Sequence, residues 1–217
     1  MLLCYITDRS QFPGNEATRR RLLLGKIEEA ALRGINYIQL REKDLCARDL
    51  ETLASQARVA LGTYAAPTKL LVNSRLDVAV TCGADGVHLR SQDISPHDVR
   101  YICGRSADLE YSASPTISVS CHTSEEVARA AAAGATMVLF GPVFEKSGAP
   151  DVRPAVLSGL RKACQYNIPV LALGGITLEN AQSCIDAGAA GIAAIRLFQA
   201  NNIAEIMSKL SRGQAQT

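Results

Sequence analysis

The feature that most constrains this chain is the regular recurrence of short apolar, β-branched segments. Eight such segments occur, at residues 3–7, 37–40, 69–73, 86–89, 116–120, 137–141, 170–173 and 191–195. The stretches between them carry apolar residues at helical spacing, as at Leu50, Leu53, Ala57 and Leu61. Alternating strands and helices favour a parallel sheet with helical crossovers, and eight repeats are the number that closes into a barrel. The predicted fold class is therefore α/β, a single (βα)8 TIM barrel.

The ends of the predicted helices support this interpretation. Four helices end at a glycine that directly precedes a strand: Gly34, Gly83, Gly134 and Gly188. Glycine suits the left-handed residue that terminates a helix. Thr123 with Glu126 three residues later is a capping-box pattern, and Ser95 before Pro96 marks another helix start. The rival architecture, an open doubly wound sheet, would place a G-x-G-x-x-G motif after the first strand, and the sequence has none there.

The composition fits one globular domain and argues against two classes of partner. We assign residues 1–211 to the barrel domain and 212–217 to a disordered tail. A net charge of +2 and 5% aromatic residues argue against nucleic acid as a partner. The apolar stretches are shorter than a membrane span, and the first residues lack a basic leader, so we expect no membrane partner and a cytoplasmic location. The seven scattered cysteines are expected to be reduced thiols.

The loops after strands seven and eight predict a phosphate site. Barrels of this kind build their active face from the loops that follow the strands, and these two loops often hold phosphate. Gly174 and Gly175 follow strand seven, where residues without side chains let backbone N–H groups approach an anion. Arg196 follows strand eight and is predicted to pair with the same phosphate. An arginine solvated at the barrel rim is the alternative for Arg196.

Other strand ends carry charged and polar residues on the same predicted face. Arg41 and Lys43 follow strand two, Asn73 ends strand three, and Asp93 lies after strand four. Strands that feed a barrel core rarely carry charges unless they emerge at the active face. His122 follows strand five and is the acid/base candidate, because an imidazole titrates near neutral pH. A capping or hydrogen-bonded structural histidine is the alternative for His122.

Seven runs of residues resemble one known family, and they occur in the family's order. They lie at residues 5–9, 39–45, 72–77, 83–89, 119–123, 140–144 and 172–176. Through them the chain resembles the thiamine phosphate synthases and the related thiazole tautomerases. The resemblance implies a TIM barrel, usually a homodimer, whose small-molecule partner is a phosphorylated thiazole of thiamine biosynthesis.

The synthase activity implied by the resemblance joins a pyrimidine diphosphate to thiazole phosphate and expels pyrophosphate. It uses cationic side chains and Mg to neutralise the leaving group. Gln39, Arg41 and Lys43 match the family's pyrimidine diphosphate-binding run, and Asn73 matches its neighbour on strand three. Asp93 matches one of the two magnesium ligands, so we assign it a metal only if the protein is a synthase.

Four departures from the synthase pattern gather around pyrophosphate and metal. They are Ser74 where the synthases have aspartate, Arg90-Ser91 for Gly-Gln, residues 145–150 for a Thr-x-Thr-Lys run, and Arg196 for a serine. A hydroxyl does not replace the charge of a carboxylate at a hard-cation site. Lys146 is the candidate replacement for the missing lysine.

The tautomerase activity needs less machinery, since a proton moves between ring positions while the phosphate stays anchored, and it needs no cofactor. His122 matches the acid/base histidine of that branch, although many synthases also have a histidine there. The sequence therefore favours a thiazole tautomerase-like isomerase, with thiamine phosphate synthase and a non-catalytic thiazole phosphate-binding protein as the alternatives. The assigned residues are His122 and Lys43 as catalytic, Gln39, Arg41, Asn73 and Ser120 as substrate-binding, and Gly174, Gly175 and Arg196 as phosphate-binding.

Overall fold

Each strand buries both faces, one against helices and one inside a closed barrel. The computed structural model describes residues 1–62, 67–105, 114–145 and 156–214. Its strands are β1 (Leu2–Ile6), β2 (Tyr37–Leu40), β3 (Lys69–Asn73), β4 (Gly86–Leu89), β5 (Thr116–Cys121), β6 (Met137–Phe140), β7 (Val170–Leu173) and β8 (Gly191–Ala194). All neighbouring pairs are parallel, and β1 closes the barrel by pairing with β2 through Cys4 and Tyr37 and with β8 through Leu3 and Ile192. The predicted (βα)8 barrel is confirmed.

Helices follow the strands in the predicted alternation. They are α1 (Glu16–Leu32), α2 (Ala47–Gly62), α3 (Leu76–Thr81), α4 (Pro96–Arg105), α5 (Ser124–Ala132), α6 (Val156–Ala163), α7 (Leu178–Asp186), α8 (Arg196–Gln199) and α9 (Ile203–Gln214), with a short 3-10 turn at Arg9–Gln11. The four predicted helix-ending glycines, Gly34, Gly83, Gly134 and Gly188, all have positive φ. Thr123 and Glu126 form the predicted capping box. Helix α9 continues to Gln214, three residues into the segment predicted to be a disordered tail, and residues 215–217 lie outside the described part.

The apolar residues divide between two layers because neighbouring strand residues point to opposite faces. The larger layer lies between the strands and the helices and includes Ile38, Leu40, Val72 and Ile192. The smaller layer fills the barrel interior: Cys4, Ile6, Leu71, Met137, Leu139, Leu171 and Ala193. Burying one such aliphatic side chain contributes roughly 1.5–3 kcal/mol. The barrel interior at this level is therefore a packed core.

No helix within the described ranges has both the length and the apolar character that a membrane crossing requires.

Candidate active site

A cavity of about 460 Å³ opens at the carboxyl ends of the strands. Its base is apolar and includes Ile6, Leu139, Leu173 and Ala193. Eight of the sequence-predicted site residues line it: Gln39, Arg41, Asn73, Ser120, His122, Gly174, Gly175 and Arg196. These residues come from β2, β3, β5, β7 and β8 or from the loops that follow them. The barrel thus brings together residues that are far apart in the sequence.

The β7–β8 side of the cavity is built mainly from backbone. Gly174 and Gly175 adopt φ of 94° and 66°, a region that favours glycine. The carbonyl of Gly174 accepts from Phe144 N at 3.1 Å, and that of Gly175 accepts from Asn180 Nδ2 at 2.9 Å. Within the described chain, the N–H groups of Gly174, Gly175 and Ile176 have no hydrogen-bond partner. Three free donors in one turn are suited to an anion, and Arg196, which is exposed, lines the same cavity.

The β2–β4 side is built from side chains. Gln39 Nε2 donates to Asn73 Oδ1 at 2.9 Å, and Asn73 Nδ2 donates to Ser74 Oγ at 3.0 Å. Gln39 Oε1 is buried and has no hydrogen-bond partner among the described residues. A buried acceptor left unpaired costs about 1–3 kcal/mol, so this oxygen is suited to an N–H donor from a ligand.

Two arginines add positive charge to the same side. Arg41 and Arg90 both line the cavity. Burial lowers the pKa of Arg41, and the like charge of Arg90 lowers it further, while Asp8 and Glu42 act in the opposite direction. The guanidinium groups are therefore close enough to repel each other, and an anion between them would relieve that repulsion. Sequence reasoning marked Arg90 only as a departure from the family pattern and did not assign it to the site.

His88 lies below this charged side and is buried inside the barrel. Its Nδ1 is 2.9 Å from Ser118 Oγ, and its Nε2 is 2.8 Å from Ser120 Oγ. Burial lowers the pKa of His88 to about 3; the charge of Asp93 opposes this shift, and the charges of Arg41 and Arg90 add to it. A neutral His88 positions Ser120 and is not an acid/base group near neutral pH.

His122 is exposed at the cavity mouth. Its Nδ1–H donates to the carbonyl oxygen of Gly141, which fixes the tautomer of the neutral ring. Nε2 is then the basic nitrogen. Neighbouring Cys121 is buried, and burial raises the pKa of its thiol to about 12, so it stays protonated.

Lys43 is not brought to the cavity. Glu42 is buried, where it accepts from Thr7 Oγ1 at 2.5 Å and from Arg9 N at 2.9 Å. The chain turns outward after this anchored residue, and Lys43 is exposed and is not part of the cavity lining. The structure therefore does not support its predicted catalytic role beside His122. Lys146, the candidate replacement for the family lysine, lies outside the described residues.

Asp93 is not free to hold a metal in the way the resemblance implies. Its Oδ1 is 3.1 Å from the Arg90 guanidinium, and its Oδ2 accepts from Arg90 N at 2.7 Å. Burial raises the pKa of Asp93, but the hydrogen bonds from Arg90 and Ser74 and the charge of Arg90 outweigh burial and lower it overall. The described residues contain no cluster of three His, Cys, Asp or Glu side chains that suits a metal ion. One carboxylate already paired with a guanidinium does not fit the oxygen-rich ligand set that Mg²⁺ prefers.

The fold and this cavity define a TIM-barrel protein with a glycine turn after β7 at the cavity. Comparisons with known proteins give the family. The family model described as thiamine monophosphate synthase matches residues 3–198. The chain belongs to the thiamine monophosphate synthase family, as the sequence resemblance predicts.

Similar proteins carry synthase names. The chain is 41% identical over 194 residues to "Thiamine-phosphate synthase" of Roseiflexus sp. (strain RS-1), covering 88% of this chain and 75% of that protein. It is 36% identical over 194 residues to "Putative thiamine-phosphate synthase 2" of Aquifex aeolicus, covering 89% and 95%. The solved structure of thiamine phosphate pyrophosphorylase from Pyrococcus furiosus superposes with a TM-score of 0.78 at 30% identity, covering 97% of this chain and 94% of that one. These names favour the synthase alternative over the tautomerase that the sequence analysis favours.

Proposed function

We propose that the protein is a thiamine phosphate synthase, which joins a pyrimidine diphosphate to thiazole phosphate. The observation that carries the proposal is the presence of two separate polar sets across one cavity. Free backbone donors and Arg196 lie on the β7–β8 side, and Arg41, Arg90 and the buried Gln39 oxygen lie on the β2–β4 side. A reaction between two phosphorylated substrates needs two such sets, whereas a single thiazole phosphate needs one phosphate site. The names of the relatives favour the same activity.

Each of the two sets of polar groups has its own role in the proposed reaction. The thiazole nitrogen forms a bond to the methylene carbon of the pyrimidine, the bond from that carbon to the diphosphate oxygen breaks, and its electron pair leaves with pyrophosphate. Negative charge therefore builds on the leaving group, where cationic side chains stabilise it. Gln39 Oε1 is suited to accept from an amino group on the pyrimidine ring. The β7–β8 loop anchors the thiazole phosphate so that the ring nitrogen faces the reacting carbon.

A thiazole tautomerase is the second candidate, and His122 is the observation that favours it. With Nδ1–H bonded to Gly141, the basic Nε2 is suited to remove a ring proton and return it elsewhere. This reaction needs no metal, which agrees with the ion-paired state of Asp93.

One experiment tests the proposal and separates the candidates. The purified protein is incubated with both synthase substrates, with Mg²⁺ or with EDTA, and thiamine phosphate is measured. The expected result is product formation that Arg41→Ala reduces at least about 100-fold, since a cation at a transferring group is lost. Arg75→Ala is the control, because Arg75 pairs with Asp77 and does not line the cavity.

The contrary results are equally defined. No thiamine phosphate under either condition would reject the synthase proposal. Appearance of the aromatic thiazole absorbance with thiazole substrate alone, lost in His122→Gln, would establish the tautomerase instead. If neither reaction occurs but thiazole phosphate raises the melting temperature, the protein is the non-catalytic binder. The homodimer implied by the resemblance stays a prediction that light scattering checks.

A further inference from the structure

Arg90 holds Asp93 through both backbone and side chain. Arg90 N donates to Oδ2 at 2.7 Å, and the Arg90 guanidinium lies 3.1 Å from Oδ1. The Asp93 side chain is 11% exposed, while that of Arg90 is 61% exposed and lines the cavity. The carboxylate is therefore covered, and the guanidinium faces the space where a ligand binds.

Ser74 forms a hydrogen bond with Asp93 and carries no charge. It directly follows β3 in a left-handed conformation, with φ of 62°, and its hydroxyl accepts from Asn73 Nδ2 at 3.0 Å. The Asp93 carboxylate is paired with Arg90, so it adds no net negative charge at this point of the cavity. A divalent cation bound to Asp93 would have to displace the Arg90 guanidinium and would find no second carboxylate at Ser74, which is unfavourable.

A guanidinium, unlike a divalent cation, needs only one carboxylate partner and can bind an anion at the same time. It presents several N–H donors in a plane and binds two oxygens of a phosphate at once. Arg90 can keep Asp93 on one edge and offer its remaining N–H groups to an anion. Arg41 adds a second guanidinium from the neighbouring β2 side, and Gln39 Oε1 on the same side is buried without a protein partner among the described residues.

We propose that the Arg90 guanidinium takes the place of a divalent cation on Asp93, and that Arg90 and Arg41 together bind a diphosphate group without metal. The proposal rests on the proposed function for the identity of the ligand. It does not rest on that function for the binding itself, because inorganic pyrophosphate serves as the probe.

The test is calorimetric titration of inorganic pyrophosphate into EDTA-treated protein. Pyrophosphate is expected to bind in EDTA, and Arg90→Ala is expected to weaken it about tenfold through loss of a charge-assisted hydrogen-bonding pair. Arg90→Gln, which keeps a neutral hydrogen-bond donor on a shorter side chain, should give a similar loss. Arg75→Ala, which removes a half-buried arginine that pairs with Asp77 and does not line the cavity, should leave binding unchanged.

A double variant designed to create a metal site extends the test. The double variant Ser74→Asp with Arg90→Gly restores a second carboxylate and removes the competing cation, and aspartate tolerates the left-handed conformation of residue 74. It should bind Mn²⁺, detected by electron paramagnetic resonance, where the wild type does not. Its pyrophosphate binding should then become sensitive to EDTA.

Two results would overturn the inference: wild-type binding of pyrophosphate that disappears in EDTA, or an Arg90→Ala variant that binds as tightly as the wild type. The outcomes separate the two proposals. Metal-free pyrophosphate binding without any thiamine phosphate formation rejects the proposed function alone, and thiamine phosphate formation with strictly Mg²⁺-dependent pyrophosphate binding rejects the inference alone.

Discussion

The two sides of the cavity present hydrogen-bond donors of different kinds. The β7–β8 side relies on backbone N–H groups in a turn that needs glycine, with one arginine beside it. The β2–β4 side relies on the side chains of Arg41, Arg90 and Gln39. Backbone donors keep their positions unless a substitution disturbs the turn that holds them, whereas a side-chain donor is lost with its own side chain. The comparison teaches that the donors after β7 depend on the conformation of one glycine turn, while the charge opposite them depends on single side chains such as Arg90.

The largest effect is expected at the backbone side. An added Cβ at Gly175 would lie 2.5 Å from Glu145 O and 2.8 Å from Phe144 Cβ, and the φ of 66° disfavours other residues. Gly175→Val should therefore reorganise the turn and weaken binding of thiazole phosphate at least about 100-fold, because several free N–H donors move together. Calorimetry with thiazole phosphate measures this loss.

Gly104→Ala is the matched control for Gly175→Val. Gly104 lies in α4, and an added Cβ there meets no atom of the described residues within 4 Å. Alanine at this position should leave binding unchanged and raise the free energy of unfolding by about 0.5–1 kcal/mol. Wild-type affinity in Gly175→Val would show that the turn is not the phosphate site.

Substituting the arginine on either side should change the dissociation constant of one ligand about tenfold. Arg196→Ala should weaken thiazole phosphate and spare pyrophosphate, while Arg41→Ala should weaken pyrophosphate and spare thiazole phosphate. Each variant is the control for the other, and both are titrated with both ligands. Equal losses of both ligands in both variants would mean that the cavity holds one anion site instead of two.

A smaller effect concerns the buried histidine below the charged side. Because burial lowers the pKa of His88 to about 3 and the unfolded chain keeps the ordinary value near 6.5, the unfolded state binds one proton more between these values. His88 should therefore make the free energy of unfolding fall by about 1.4 kcal/mol per unit as pH drops below about 6.5. His88→Asn should remove this part of the slope in denaturant titrations, and an unchanged slope would contradict a neutral, buried His88.

Most of the fold was predictable from the sequence, because strand and helix periods and the helix-ending glycines are local signals. Each of the eight predicted strands matches the observed one to within one residue at either end. The position of the glycine turn was predictable for a related reason: Gly174 and Gly175 follow β7, and the barrel fixes where that loop lies.

The side-chain half of the site was less predictable, because it depends on contacts between distant residues. Lys43 is two residues from Arg41 in sequence. Hydrogen bonds from Thr7 and Arg9 hold Glu42 in the interior, and the Lys43 side chain is therefore directed outward. In the sequence, Arg90 is a departure from the family's Gly-Gln pair. Its contact with Asp93, which suggests a role at the site, is visible only in the structure. Gln39 Oε1 is buried without a hydrogen-bond partner among the described residues, and this too depends on the three-dimensional arrangement of β2 and β3.

The most direct test of the two-sided cavity is titration of inorganic pyrophosphate into protein already saturated with thiazole phosphate. Two separate sites predict binding of one pyrophosphate per chain, with a dissociation constant that changes by less than about threefold relative to the free protein. Competition, in which saturating thiazole phosphate abolishes the binding of pyrophosphate, would contradict the account.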